Sequence, residues 1–323
     1  MERAEQISRR LKLRQLQVLL AVAESGSMAK AAEHLAITQP VISKSIADLE
    51  NMLGVRLLDR TPHGVEPTLY GRALIERSIA VFNDLRTSVS ELDYLSNATG
   101  GELRIGSSDS VAAGMLGLIL NRLSKQYPRL TFEAMLGISD LPHEALRARE
   151  IDLVIGRLPN VIPDDMNATA LYDEESYIVA GAHNPLTQRK KVSLAELVDQ
   201  PWCGLSFEIF PWSLTAEMFR QDGLRIPRNV VKTRSVLTRS GLLATGHFLT
   251  IFPRTVLQFG AQSLGLRRIN VGIPAPTYPV GITTLKNRTL NPIASLFIDC
   301  ARDVAKPFIK EKERRHRAAA EAR

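Results

Sequence analysis

The sequence predicts an α/β protein in two parts, a small head of short helices closed by a hairpin and, beyond one long helix, a larger region of alternating strands and helices. Three observations predict it. Apolar residues recur at helical spacing from Leu13 to Gly54, the period of amphipathic helices. Tyr70 to Ser96 contains no proline and one glycine, Gly71, which favours one unbroken helix. From Glu102 onward, short apolar runs alternate with helical stretches, the pattern of βαβ units.

In the head, Leu13, Leu16, Leu20 and Ala23 form one apolar helical face, and Ser25-Gly26 supplies its stop. Ser27 can cap a second helix, Met28 to Leu35, and Thr38 a third that opens on Gln39-Pro40, where proline's missing N–H costs nothing. Ile42, Ile46, Leu49 and Leu53 make the buried stripe of that third helix, and Gly54 ends it. This spacing suggests a helix-turn-helix. The opposite side of the third helix carries Pro40, Lys44, Ala47 and Asp48, flanked by Gln39 and Ser43. Gln and Lys can read base edges or phosphates, although a polar face is more often only a solvated one. Arg56 to Arg60 and Val65 to Thr68 flank the turn-forming Thr61-Pro62-His63-Gly64, which reads as a β-wing.

Tyr70 to Ser96 would span about 40 Å at about 1.5 Å per residue, too long to hide in a small domain unless it pairs. Seven-residue bookkeeping puts Leu74, Val81 and Leu95 at one seam position and Leu85 and Leu92 at the other, a dimerising seam interrupted by Ser78 and Ser88. Asn97 to Gly101 reads as a hinge.

ELRIG (Glu102 to Gly106), LTFEAM (Leu130 to Met135) and IDLVIG (Ile151 to Gly156) predict a parallel sheet. A second unit holds SYIVAG (Ser176 to Gly181), the capping box Ser193 to Glu196, NVVKTRS (Asn229 to Ser235) and FLTIF (Phe248 to Phe252). VGITTLK (Val280 to Lys286) and a helix from Pro292 to Ala305 return to complete the first unit. Two lobes joined by crossing strands make a cleft. Gly106 to Ser110 lies between a strand end and a helix expected near Ala112, where open α/β sheets bind ligands, so Ser107, Ser108 and Ser110 are candidate contacts. Arg157, just past IDLVIG, could hold a carboxylate or phosphate bidentately, or form a surface salt bridge. Ser206 and His247 fall on loops of the second lobe.

Composition narrows the function. The chain has 323 residues and a net charge of +7, yet its first hundred residues balance 12 basic against 12 acidic, while the last eighteen hold 7 against 3. The excess sits mostly in the tail, Lys310 to Arg317, read as a solvated helix end, so DNA binding must be argued from pattern. Cys203 and Cys300 alone exclude a disulfide scaffold and a cysteine-rich zinc site. No apolar run approaches the ~18 residues of a membrane span, and MERAEQISRRLKLR lacks a signal peptide's apolar core, so a cytoplasmic soluble protein without membrane association is expected. The nucleotide-cofactor, P-loop and hydrolase-elbow motifs are missing, and the six histidines lack metal-ligand spacing. No enzyme, cofactor or metal is expected.

The block LRQLQVLLAVAESGSMAKAAEHLAITQPVISKSIADLENMLGVRLLDRTPHGVEPTLYGRAL, Leu13 to Leu74, resembles the LysR-type transcriptional regulators, and LRIG, YPRL (Tyr127 to Leu130), IDLVIG and HNPL (His183 to Leu186) continue the likeness. The resemblance implies a winged helix-turn-helix, a long dimerising linker helix and a two-lobed α/β effector domain of periplasmic-binding-protein type. By position it divides the chain into a head over 1–69, a linker over 70–101, lobe 1 over 102–175 with 280–307, lobe 2 over 176–279 and a basic tail over 308–323. It places Gln39, Pro40, Ser43 and Lys44, behind Thr38, in the major groove and Arg60 in the wing near the minor groove. Many members carry Arg at the position of Lys44 and Arg or Gln near Ser45, so bidentate guanine readout is not implied here. It also places inducer contacts at Ser110 and Ser139. The implied function is promoter binding or bending controlled by a small metabolite (a sugar, sugar acid or aromatic acid), in a homodimer or homotetramer, with RNA polymerase as a further candidate partner. The rival reading is a cytoplasmic metabolite-binding protein or enzyme built on the two-lobed part alone; it leaves Leu13 to Thr68 without a purpose.

Overall fold

The computed structural model describes residues 2–61, 64–96, 100–137, 141–204, 214–259, 265–273 and 275–321. The chain forms two compact units, residues 1–89 with 147–150, and residues 90–146 with 151–323.

The first unit runs α1 (Glu2–Arg10), α2 (Leu13–Ser25), α3 (Met28–His34), α4 (Gln39–Leu53), β1 (Leu58–Thr61), β2 (Gly64–Pro67) and most of α5 (Leu69–Ser96). α2, α3 and α4 close on one apolar cluster that includes Leu19, Val22, Ala31, Ile42, Leu49 and Leu57. α2 and α4 both end on glycines in the left-handed region, Gly26 (φ 64°) and Gly54 (φ 72°), where a Cβ would be strained. Ser27 caps α3 by accepting from the Lys30 N–H, whereas Thr38 stands at the N-cap of α4 without a side-chain bond. The wing is fixed at two points. Glu50 Oε1 accepts from the N–H groups of Leu57 (2.7 Å) and Leu58 (3.2 Å), and the Val65 N–H donates to the Gly26 carbonyl (2.8 Å).

Leu74 departs from its expected seam position. It packs with Ile75 against the head's core, and Ser78, one turn on, is buried and donates to its carbonyl. The exposed apolar stripe of α5 therefore begins at Val81 and runs through Leu85, Val89, Leu92 and Leu95.

The second unit continues with β3 (Gly100–Ser107), α6 (Asp109–Val111), a π-helical turn (Ala112–Leu116), α7 (Gly117–Gln126), β4 (Arg129–Leu136), α8 (Leu141–Arg147) and β5 (Leu153–Arg157). β6 (Met166–Gly181) follows, then a 3-10 turn (Pro185–Gln188), α9 (Leu194–Leu197), β7 (Trp202–Gly204), α10 (Leu214–Gln221), β8 (Asn229–Lys232), α11 (Val236–Ala244) and β9 (Leu249–Pro253). The unit closes with α12 (Arg254–Phe259), β10 (Leu266–Arg268), β11 (Thr277–Leu285) and α13 (Pro292–Glu321). The strands order β4-β3-β5-β11-β6-β9-β7-β8, with β10 beside β6.

The parallel set expected of ELRIG, LTFEAM and IDLVIG is present, within a sheet that is mixed as a whole. β3 pairs parallel with β4 and β5, and β7 with β8 and β9, but β6 and β11 run antiparallel to their neighbours. The reason is the length of β6. SYIVAG is only its second half; the sixteen-residue strand starts at Met166 and crosses from one lobe to the other beside β11. Each lobe has its own core, one around Leu103, Ile105, Ile119, Ile155, Ile282 and Phe297, the other around Ile178, Leu197, Trp202, Phe219 and Leu249. The final helix passes the expected end at Ala305 and runs through Pro307 to Glu321, and just past the proline Phe308 is buried, its ring stacked on Tyr172 (5.0 Å). No helix among the described residues is long and apolar enough to cross a membrane.

Candidate functional site

Two sites emerge, one in each unit. In the head, α4 buries Ile42, Ile46 and Leu49, which leaves Gln39, Pro40, Lys44, Ala47 and Asp48 exposed on the other side with Ser43 half-buried. Thr38 is exposed, and Arg60 is exposed on β1 opposite Val65. The helix start thus offers a carboxamide, an ammonium group and backbone N–H dipoles toward one side, chemistry suited to phosphates and base edges.

The second site follows from strand register. Arg157, ending β5, lies opposite Val280 of β11, which lies opposite Tyr172 of β6. Tyr278 lies opposite Glu174, and Ser176 opposite Pro253 at the end of β9. The carboxyl ends of strands from both lobes therefore meet where β6 and β11 cross, the place where a ligand would be held between them.

Four groups occupy this junction. The Arg157 guanidinium lies 5.1 Å from the Tyr278 ring centroid. Glu174 is buried; its Oε2 accepts from the Tyr172 hydroxyl (3.1 Å) and the Thr255 hydroxyl (2.5 Å), and its Oε1 has no hydrogen-bond partner. Burial pushes its carboxyl above the usual range, against the opposing pull of those bonds and of Arg254. Burial likewise raises the Tyr278 hydroxyl, an effect the Glu174 charge reinforces. Arg239 of α11 is only 8% exposed and stacks 4.5 Å from the Phe252 ring centroid. Its terminal nitrogens donate to the carbonyls of Ile251 (3.2 Å) and Arg234 (3.3 Å), while its Nε–H has no acceptor.

The sequence-based candidates separate here. Ser108 and Ser110 are half-buried with their hydroxyls 3.5 Å apart. Ser107 is fully buried, and its hydroxyl donates to the carbonyls of Ile155 (3.1 Å) and Ser108 (3.3 Å), bonds internal to the fold. The helix after it starts at Asp109, not near Ala112, with the π-helical turn following. His247 is exposed just before β9, whose Leu249 pairs with Ala180, so it lies at the far end of the lobe 2 strands from the junction. Its ring meets Phe248 edge-on. Ser139 and Ser206 lie outside the described residues.

Comparison with known families decides what joins these two sites. The model of the "bacterial regulatory helix-turn-helix protein, lysR family" matches residues 13–72, and that of the "LysR substrate binding domain" matches residues 96–306. The chain belongs to the LysR family. Among its relatives, the HTH-type transcriptional regulator GbpR of Azospirillum brasilense is 29% identical over 289 residues, 88% of this chain and 83% of that protein. The HTH-type transcriptional regulator TdcA of Escherichia coli K12 is 27% identical over 297 residues, 90% of this chain and 93% of that protein. In fold the chain is similar to the LysR family regulator CbnR (TM-score 0.69, 23% identity, 91% of this chain and 99% of that one). It is also similar to full-length CbnR complexed with its target DNA (TM-score 0.70, 23% identity, 91% and 100%). This LysR-family chain is a sequence-specific DNA-binding transcriptional regulator with an effector-binding domain.

In this LysR regulator, sequence reasoning missed Arg239, Tyr278 and Glu174. A signal for Arg239 was present. Val236, Arg239, Ser240 and Leu243 share the buried face of α11, so a lone arginine sits on an apolar stripe. Nothing local marks Tyr278 or Glu174, which become neighbours only through the long pairing of β6 with β11. No group of three or more His, Cys, Asp or Glu side chains among the described residues could hold a metal ion.

Proposed function

We propose that this LysR-family regulator reads promoter DNA with Thr38, Gln39, Pro40, Ser43, Lys44 and Arg60, and senses a small metabolite in the interlobe junction. Effector occupancy alters promoter binding or bending. The exposed polar side of α4, set beside a wing pinned to the same core, is the observation that carries the DNA reading. The metabolite is a sugar, sugar acid or aromatic acid, and Ser108, Ser110 and Arg157 are proposed contacts. The exposed stripe Val81, Leu85, Val89, Leu92 and Leu95 supports a homodimer or a higher homo-oligomer. RNA polymerase is the proposed downstream partner, and no catalytic role is assigned to the two-lobed domain.

The test is footprinting on a duplex selected from random sequence by the protein itself. Binding should weaken steeply with salt as phosphate contacts release counterions, and Gln39→Ala should lose about 1–3 kcal/mol of discrimination at its base contact. An unchanged footprint for the double variant Gln39→Ala, Arg60→Ala would overturn the assignment.

A further inference from the structure

Among the described residues, the charges around the junction do not balance. Arg254 and Glu174 act on one another electrostatically, and Glu174 also takes the Tyr172 and Thr255 hydroxyls. Arg157 and Arg239 both act on Tyr278, from β5 of one lobe and α11 of the other. Against these two guanidinium groups stands Asp109 at the start of α6, which acts on Arg239 without forming an ion pair. Among the described residues no carboxylate lies in ion-pair contact with Arg239.

A buried guanidinium held without a counter-ion is costly. The cost is visible in Arg239, whose pKa burial pulls down to about 10 despite the opposing effects of Cys203, Asp109 and Tyr278. Its two bonds to backbone carbonyls and its contact with Phe252 fix the plane of the fork but bring no negative charge. They leave the Nε–H, itself buried, without a hydrogen-bond acceptor among the described residues. Cys203, Asp109 and Tyr278 come from β7, α6 and β11, so the group lies where both lobes and a crossing strand meet. A neutral polyol would satisfy the free N–H and leave the charge uncompensated. A carboxylate satisfies both, because its two oxygens match the planar fork.

We propose that the effector is a small organic acid whose carboxylate is anchored by Arg239, with Arg157 as a second, more exposed cation for the same anion. The proposal rests on the reading of the junction as the effector site and narrows it to one chemical class. Arg239 is then a specificity-determining residue: it selects acids over their neutral counterparts, and the acid restores the charge balance.

Thermal unfolding of the full-length chain tests this with matched pairs at equal ionic strength: acetate and acetamide, benzoate and benzamide, gluconate and glucose. At least one acid should raise the melting temperature by about 2–4 °C above the effect of its neutral partner. That gain should vanish in Arg239→Gln, shrink in Arg157→Gln, and persist in part in Arg239→Lys, which keeps the charge but loses the fork. Circular dichroism and a cooperative melting curve of each variant, recorded without any acid, check that the chain is folded. Should Arg239→Gln fail that check, loss of at least half the gain in Arg239→Lys and Arg157→Gln carries the same inference, and a smaller loss overturns it. The proposal is also overturned if no acid exceeds its neutral partner, or if a folded Arg239→Gln keeps the gain. A neutral compound that stabilises the protein through the junction would remove the acid class and leave the effector site standing. If no compound of either kind stabilises the chain, both readings fall.

Discussion

Glu174 shows how much one buried residue can report about the junction. Burial holds its carboxyl above the usual range even though Tyr172 and Thr255 donate to it. The folded chain therefore keeps a proton that the unfolded chain releases. The stabilisation from this group is complete below the ordinary carboxylate value and is lost as pH rises from there through the raised folded value. Glu174→Gln fixes the neutral form and keeps an acceptor for both hydroxyls. Urea unfolding between about pH 5 and about pH 8 should show stability falling with pH in the parent and a shallower fall in the variant. Parallel curves would contradict it. None of this was legible in the sequence, where Glu174 is one of several acidic residues in the run Asp173 to Glu175. The same holds for Asp152, the one charged residue within IDLVIG. It accepts from the Arg104 backbone N–H (3.0 Å) and guanidinium (3.1 Å) and from Arg288 (3.3 Å), partners far away in the chain. Gly26, Ser27 and Gly54, by contrast, act through their own backbone turn and could be read directly.

At the scale of elements, local periodicity was enough for α2, α3 and α4 of the head, though not for α1, and too short-sighted for the sheet. Helices of 7 to 15 residues stopped by glycines or caps carry their boundaries within a few positions. β6 does not: its first half, Met166 to Glu175, is polar enough to read as loop and becomes strand because β11 pairs along its length. In α5 the heptad count found the right helix but placed Leu74 in the seam, since sequence spacing cannot tell a partner helix from the helix's own domain. Beyond Ser78, the stripe that remains exposed is Val81, Leu85, Val89, Leu92 and Leu95, whose exposure rises from 39% at Val81 to 72% at Leu95. Such a stripe on one face wants a partner. Leu85→Asp should lower the mass measured by light scattering to that of smaller species, because pairing would bury an uncompensated carboxylate. An unaltered mass would show that the stripe is not the oligomer contact.

At the scale of the whole molecule, the DNA face belongs to one compact unit and the effector junction to the other, each built on its own core. An effector can change DNA binding only through a difference in stability between two arrangements of the protein, each ligand favouring one of them. This has a consequence that does not depend on the path between the units. If an effector weakens or strengthens DNA binding by some factor, DNA must change effector affinity by the same factor, because both measure one coupling free energy. Titrating a stabilising acid into the protein with and without its selected duplex should therefore reproduce the ratio seen when the duplex is titrated with and without acid. Regulators typically show couplings of about 5- to 150-fold, well within calorimetric reach. Arg239→Gln should bring both ratios to one while DNA affinity in the absence of acid stays within a few-fold of the parent. If the two ratios differ, the acid acts at some site other than the one that binds it most tightly. If both equal one in the parent, the junction binds its acid without governing DNA affinity, and control of bending is what remains to be measured.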